Sequence, residues 1–171
     1  MSYAQELDYI VSNKKRLDFT STLLRHLRGN TLCLFQLVEK HGKPLFKELK
    51  GKENVYFVYG GTETSERERI REYVDSSTNS TIVASYGVFS TGINIRNLHN
   101  IIFSSPYKSR IRNLQSIGRG LRVHESKKTA KLYDIADNFN NNNHTIKHFI
   151  KRIGIYNQEE FDYEIIKINL K

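Results

Sequence analysis

Five short apolar runs punctuate the chain: Thr31–Val38, Val55–Tyr59, Thr81–Ser85, Asn100–Ser104 and Ala130–Ile135. They are rich in Val, Ile, Phe and Tyr, and most are continuously apolar rather than alternating. Such runs predict strands buried on both faces, as in a parallel sheet. Amphipathic stretches lie between them. Arg16–Arg28 carries Leu17, Leu24 and Leu27 and runs into Gly29, a predicted C-terminal cap. Lys43–Lys50 carries Leu45, Phe46 and Leu49. Glu66–Val74 sets Ile70, Tyr73 and Val74 on one side, with Ser65 and Glu68 spaced as a capping box. Ile111–Leu121 and Thr145–Ile153 predict two more helices, the second after the Asn-rich turn Asn138–Asn143. Phe161–Leu170 alternates through Tyr163, Ile165/Ile166 and Ile168 and predicts a last strand. The strand–helix alternation predicts an α/β fold, an open and mostly parallel sheet with helices on both faces. The expected division is a lead-in segment and first helix at 1–29, the sheet domain at 30–155, and a strand or tail at 156–171.

One octet stands apart, Gln115-Ser116-Ile117-Gly118-Arg119-Gly120-Leu121-Arg122. At 100° per residue, Gln115, Arg119 and Arg122 fall on one helical stripe roughly 60° wide. Leu114, Ile117 and Leu121 fall on another side, suited to packing. Arginine offers a planar fork of donors that stays charged at any working pH, which suits a phosphate. In phosphoryl transfer such a group steadies the charge that grows in the transition state.

Composition adds a partner class. The 171 residues carry a formal charge of +9, and a polyanion is the natural partner. Eight basic residues against Glu125 alone lie between Tyr107 and Lys131, so this segment concentrates the charge. The single cysteine, Cys33, excludes an intrachain disulfide and a cysteine-based metal site. It points to an intracellular chain. No run is apolar and long enough to span a membrane. His144 and His148 are four apart, but no third ligand accompanies them, and no metal site is expected.

In open α/β sheets, ligands gather beyond the carboxyl ends of the strands. The first predicted strand runs into Gln36, Lys40 and His41. The second ends at Tyr59-Gly60-Gly61-Thr62, where two glycines let backbone N–H groups approach a phosphate. The third ends in Ser85–Asn94, and the fourth in Ser104-Ser105-Pro106 before the arginine helix. Tyr86, Phe89 and Tyr107 lie beyond strand ends and are candidates to stack on bases. There is no P-loop, and no Asp-Glu pair ends an apolar strand to hold magnesium. Arginine fingers without a P-loop make half of a nucleotide site, and the other half must come from another domain or chain.

The order and spacing of these segments resemble the second RecA-like domain of DExH-type superfamily 2 helicases. Thr31–Gln36 resembles motif IV, Val55–Gly61 with Glu66-Arg67-Glu68 the strand, glycine turn and helix after it, Ser85–Asn94 motif V, and Gln115–Arg122 motif VI. Asp8–Arg16 resembles the lead-in of phage and repair helicases. The resemblance implies that Arg119 and Arg122 reach the γ-phosphate of ATP on a preceding domain, with Gln115 bridging to that domain's carboxylates. Gly92, Asn94 and Gly118 would lie at the nucleotide. Gln36, Gly60, Gly61, Thr62, Ser85, Tyr86, Ser90, Thr91 and Lys108 would grip a nucleic-acid strand. Asn94 and Thr91 depart from the family's usual acidic and basic residues, which favours a hydroxyl contact to phosphate at Thr91. The implied cofactors are ATP and Mg2+, held mainly by an N-terminal P-loop/DExH domain of the same parent chain. The implied partner is DNA, branched or single-stranded, in recombination, repair or fork processing. A stand-alone annealing module, an RNA helicase, a restriction-type translocase subunit and an unrelated phosphate-binding α/β enzyme remain open on the residues alone.

Overall fold

The computed structural model describes residues 1–90, 95–106 and 130–171. Its centre is a parallel sheet of β1 (Thr31–Phe35), β2 (Val55–Val58), β3 (Thr81–Ser85), β4 (Asn100–Phe103) and β5 (Lys131–Asp134), in the order β2-β3-β1-β4-β5. Around it lie α1 (Tyr3–Ser12), α2 (Lys14–His26), α3 (Lys43–Glu48), α4 (Thr64–Ser76), α5 (Tyr86–Ser90) and α6 (His144–Gln158). The five strands predicted from the apolar runs are present, each within three residues of its expected bounds.

Successive strand side chains point to opposite faces, and here both faces are covered. Leu32, Leu34, Ile82, Ala84, Ile101 and Phe103 face one way, against Ile70 and Val74 of α4, Val88 of α5, and Ile155 and Tyr156 of α6. Cys33, Phe35, Val83 and Ile102 face the other way, against Leu24 of α2, Leu45 of α3 and Leu49 just beyond it. Phe35 stacks on Phe57 with ring centroids 5.4 Å apart. Each buried Val, Leu, Ile or Phe among them contributes about 1.5–3 kcal/mol by leaving water.

Four expectations need correction. β1 ends at Phe35 rather than Val38, because the chain turns at Leu37 into a π-helical turn over Val38–Gly42. The Ser65/Glu68 capping box does not form, since α4 begins earlier, with Glu63 at its N-cap and Ser65 already inside the helix. Gly29 is not the cap of α2, which ends at His26 with Leu27 in an extended conformation. Gly29 instead turns through φ +91° beneath His99, where an added Cβ would come within 2.7 Å of the imidazole Cγ. Residues 161–171 carry no strand; their alternation finds no sheet edge.

Two polar side chains stitch the fold together. Asn30, buried before β1, donates its amide N–H groups to the carbonyls of Val74, Ser77 and Asn97 and accepts from the Ser80 N–H. Glu6 of α1 sits at the N-terminus of α6. It accepts from Asn143 Nδ2 at 2.8 Å, from the backbone N–H groups of His144 at 2.9 Å and Thr145 at 2.7 Å, and from Thr145 Oγ1 at 2.6 Å. A carboxylate there satisfies otherwise orphaned N–H groups and complements the helix dipole. Burial alone raises this carboxyl, but the bonds from Thr145, Asn143 and His144 outweigh it and bring it down to about 2.

Candidate functional site at the carboxyl edge of the sheet

β1 and β4 are neighbours, so their carboxyl ends deliver Gln36 and Ser104-Ser105 side by side. Ser104 donates to the Leu34 carbonyl from both its N–H, at 3.1 Å, and its hydroxyl, at 2.7 Å. The Ser105 hydroxyl oxygen accepts from the Gln36 N–H at 3.1 Å and lies 2.5 Å from His41 Nδ1. Burial, with the Arg16 charge nearby, pulls the His41 imidazole down to about 3, so the ring is neutral. An arrangement that uses the Ser105 hydroxyl as both donor and acceptor puts the ring proton on Nε2. Gln36 Oε1 is buried with no hydrogen-bond partner among the described residues.

Arg16 of α2 reaches into the same region and is only 3% exposed. Its Nη1 donates to the Ser104 carbonyl at 2.7 Å, and Nε and Nη2 form a fork onto Asp137 at 2.7 and 2.9 Å. Asp134, at the end of β5, takes a second fork from Arg152 at 2.7 and 2.9 Å and the Tyr156 hydroxyl at 2.7 Å. Both aspartates are therefore committed to structural ion pairs. Among the described residues no cluster of His, Cys, Asp or Glu suits a metal ion.

After β2 the chain makes the expected glycine turn. The Thr62 N–H donates to the Tyr59 carbonyl at 3.0 Å, and the Tyr59 N–H donates to Thr62 Oγ1 at 3.1 Å. Arg67 of α4 braces the turn from behind, donating to the carbonyls of Thr62 and Gly60, each at 2.8 Å. With carbonyls turned to Arg67, the N–H groups of exposed Gly60 and Gly61 donate to nothing among the described residues. Two adjacent free N–H groups on a braced turn can receive a phosphate oxygen.

The structure thus brings Gln36, Gly60, Gly61 and Thr62 to the carboxyl edge. Ser85 is also there, as the buried last residue of β3. Tyr86 is a correction. It is 6% exposed, packs its ring 6.0 Å from that of Phe103, and donates its hydroxyl to the Ser105 carbonyl. The chain turns into α5 directly after β3 and swings this ring into the core, leaving no face for a base. Phe89 likewise packs against the core. Ser90 closes α5, with its side chain outside the described part. Thr91, Gly92, Asn94, Lys108, Gln115, Gly118, Arg119 and Arg122 lie outside the described residues, as do Tyr107 and the predicted helix Ile111–Leu121. Sequence reasoning missed the roles of Arg16, Glu6 and Ser105. The partners of their side-chain polar groups are 64 to 139 positions away, and no local pattern marks them.

A five-stranded parallel sheet with helices on both faces and polar groups at its carboxyl edge defines an α/β, RecA-like fold. The family model described as "Helicase conserved C-terminal domain" matches residues 14–124, and the chain belongs to that family. It is 34% identical over 186 aligned residues to the ATP-dependent DNA helicase uvsW of Enterobacteria phage T4, covering 99% of this chain and 37% of that protein. It is 32% identical over 103 residues to the putative ATP-dependent helicase IRC3 of Saccharomyces cerevisiae, covering 59% of this chain and 15% of that one. The crystal structure of T4 UvsW superposes with a TM-score of 0.81 at 34% identity, over 100% of this chain and 38% of that one. The chain therefore spans under two fifths of the length of these relatives. No helix among the described residues is long and apolar enough to cross a membrane.

Proposed function

We propose that this chain is the second motor lobe of an ATP-dependent DNA helicase or branched-DNA translocase acting in recombination, repair or fork processing. The observation that carries the reading is the carboxyl edge of the sheet. The N–H pair of Gly60 and Gly61, without an acceptor among the described residues, stands there on a turn braced by Arg67, within the interval matched by the helicase family. Gln36 and Thr62 add polar atoms at the same edge, and Ser90, Thr91 and Lys108 follow it in sequence. Together they form a grip on the sugar-phosphate backbone, which carries no base information, so recognition is by DNA structure. Ser85 and Tyr86 support that edge from within rather than touching the strand.

Arg119 and Arg122, with Gln115, supply the fingers that steady charge on a transferring phosphoryl group. Gly92, Asn94 and Gly118 border the nucleotide. The described residues offer no acidic cluster for Mg2+ and the sequence no P-loop, so ATP and its metal are held mainly by a separate P-loop lobe. Closure of the two lobes brings the arginines in, and reopening shifts the grip. Alone, the chain does not hydrolyse ATP.

The test is DNA-stimulated ATP hydrolysis by the protein that carries this chain beside its P-loop lobe, wild type against Arg119→Ala, with DNA binding followed in parallel. Turnover falls about 10³-fold or more while binding is kept. Unchanged turnover refutes the motor reading and leaves a nucleic-acid-binding module.

A further inference from the structure

The edge of the sheet opposite the proposed grip carries its own concentration of positive charge. Arg25 and Arg28 stand at the end of α2, and Lys50 and Lys52 lie in the loop that leads into β2. All lie at the amino ends of the strands, away from Gly60 and Gly61. Arg25, Arg28 and Lys50 are exposed, and Lys52 is half-buried.

The scaffold beneath them is fixed. Arg25 Nη2 donates to the carbonyls of Glu48 at 2.6 Å and Lys50 at 3.0 Å, which anchors the guanidinium and leaves its Nε and Nη1 groups without a partner among the described residues. The Arg28 carbonyl accepts from Asn100 Nδ2 at 2.8 Å, and the next two N–H groups are held by Asn79 Oδ1 at 3.1 Å and His99 Nδ1 at 2.9 Å.

What the cluster lacks, among the described residues, is an ion-paired carboxylate. Elsewhere on the described surface Lys14, Lys40, Lys43, Arg69 and Arg71 pair with carboxylates, while Lys15, Lys47, Lys147 and Lys151 are exposed without an ion pair among the described residues but are not gathered with other cations at one edge. Arg25, Arg28, Lys50 and Lys52 form no ion pair among the described residues, although Glu53 is adjacent in sequence. Partial burial, and then the charges of Arg28 and Arg25, push the Lys52 ammonium below its ordinary range. Like charges are thus held close, with no ion pair among the described residues to offset them. An incoming polyanion relieves that repulsion and releases its own counterions.

We infer that Arg25, Arg28, Lys50 and Lys52 form a second binding surface for the phosphate backbone of nucleic acid, at the opposite edge of the sheet from the motor's grip. This goes beyond the proposed motor role, since one lobe then contacts two backbone segments and favours DNA with more than one arm.

The test compares two charge-matched double variants of the chain, Arg28→Gln with Lys52→Gln and Lys147→Gln with Lys151→Gln. The second pair is exposed on α6. Neither Arg28 nor Lys52 makes a side-chain hydrogen bond among the described residues, so the first pair folds; thermal melting at low salt checks this and rises as repulsion is relieved. Affinity for a labelled DNA duplex is read by fluorescence anisotropy across roughly 50–200 mM salt. Each phosphate contact contributes about 0.9 to the slope of log affinity against log salt, so the first pair lowers it by nearly two. The control pair changes it far less. Equal effects of the two pairs, or no binding by the wild-type chain, overturn the inference. If the first pair is silent while Arg119→Ala abolishes turnover in the parent protein, the second surface fails and the motor reading stands. If the first pair weakens binding and Arg119→Ala leaves turnover intact, the reverse holds.

Discussion

Replacing Glu6 by Gln removes one negative charge and reverses one end of a fully used hydrogen-bond set. The carboxylate is 2% exposed and accepts from four donors at the start of α6. An amide in its place turns an NH2 group toward N–H and O–H donors that need an acceptor. The drop from the ordinary value of 4.5 to about 2 is worth about 3 kcal/mol of stability in the ionised state. The sign is that of a depressed acid: the contribution is complete above pH 4.5 and is lost as pH falls through about 2. Urea denaturation of both proteins at pH 7 gives a gap of about 3 kcal/mol, which shrinks to less than half near pH 3. In a thermal melt at neutral pH the same gap lowers Tm by roughly 6–12 °C for a domain of this size. A gap under about 0.5 kcal/mol at pH 7 refutes the capping argument, that being the range of an ordinary surface substitution. A gap of the same size at pH 3 and pH 7 refutes the ionic part of it.

Other perturbations follow the same logic. Gly29→Ala costs about 1–3 kcal/mol, because φ +91° disfavours a side chain and the new Cβ meets His99; equilibrium denaturation measures it. Arg16→Met strands Asp137 and the Ser104 carbonyl and destabilises by about 3–5 kcal/mol, checked the same way; a loss under 1 kcal/mol refutes a buried pair of that strength. His41→Gln flattens acid sensitivity between pH 6.5 and about 3, since a neutral imidazole in the folded state gives way to a protonated one in the unfolded state. Cys33, fully buried and pushed up to about 12 by that burial, resists an aromatic disulfide reagent in native protein and reacts on unfolding.

The strands were legible because a sheet buried on both faces demands continuous apolar runs, and no other described element has them. The helix at Tyr3–Ser12 is equally written in the residues. Leu7, Ile10 and Val11 are spaced for one face, and Ser2 with Gln5 makes the capping box that Ser65 and Glu68 do not. The tail shows the converse: period-two alternation from Tyr163 to Ile168 is compatible with a strand but supplies no partner. Of the candidate site, the Gly60-Gly61 turn was readable because glycines mark where backbone is exposed. Tyr86 misled because position after a strand says nothing of which way the next helix turns its first residue. Arg16, Glu6 and Ser105 act only through contacts that folding creates, and a single sequence does not encode them as a local pattern.

Asn30 has a consequence for how this domain breathes. Its one amide is bonded to the end of α4, the turn that follows it and the loop before β4, while its oxygen holds the residue before β3. None of these four segments can loosen without releasing the same side chain. They form one opening unit, and their backbone protons exchange with solvent at a shared free energy rather than in the graded order expected of independent loops.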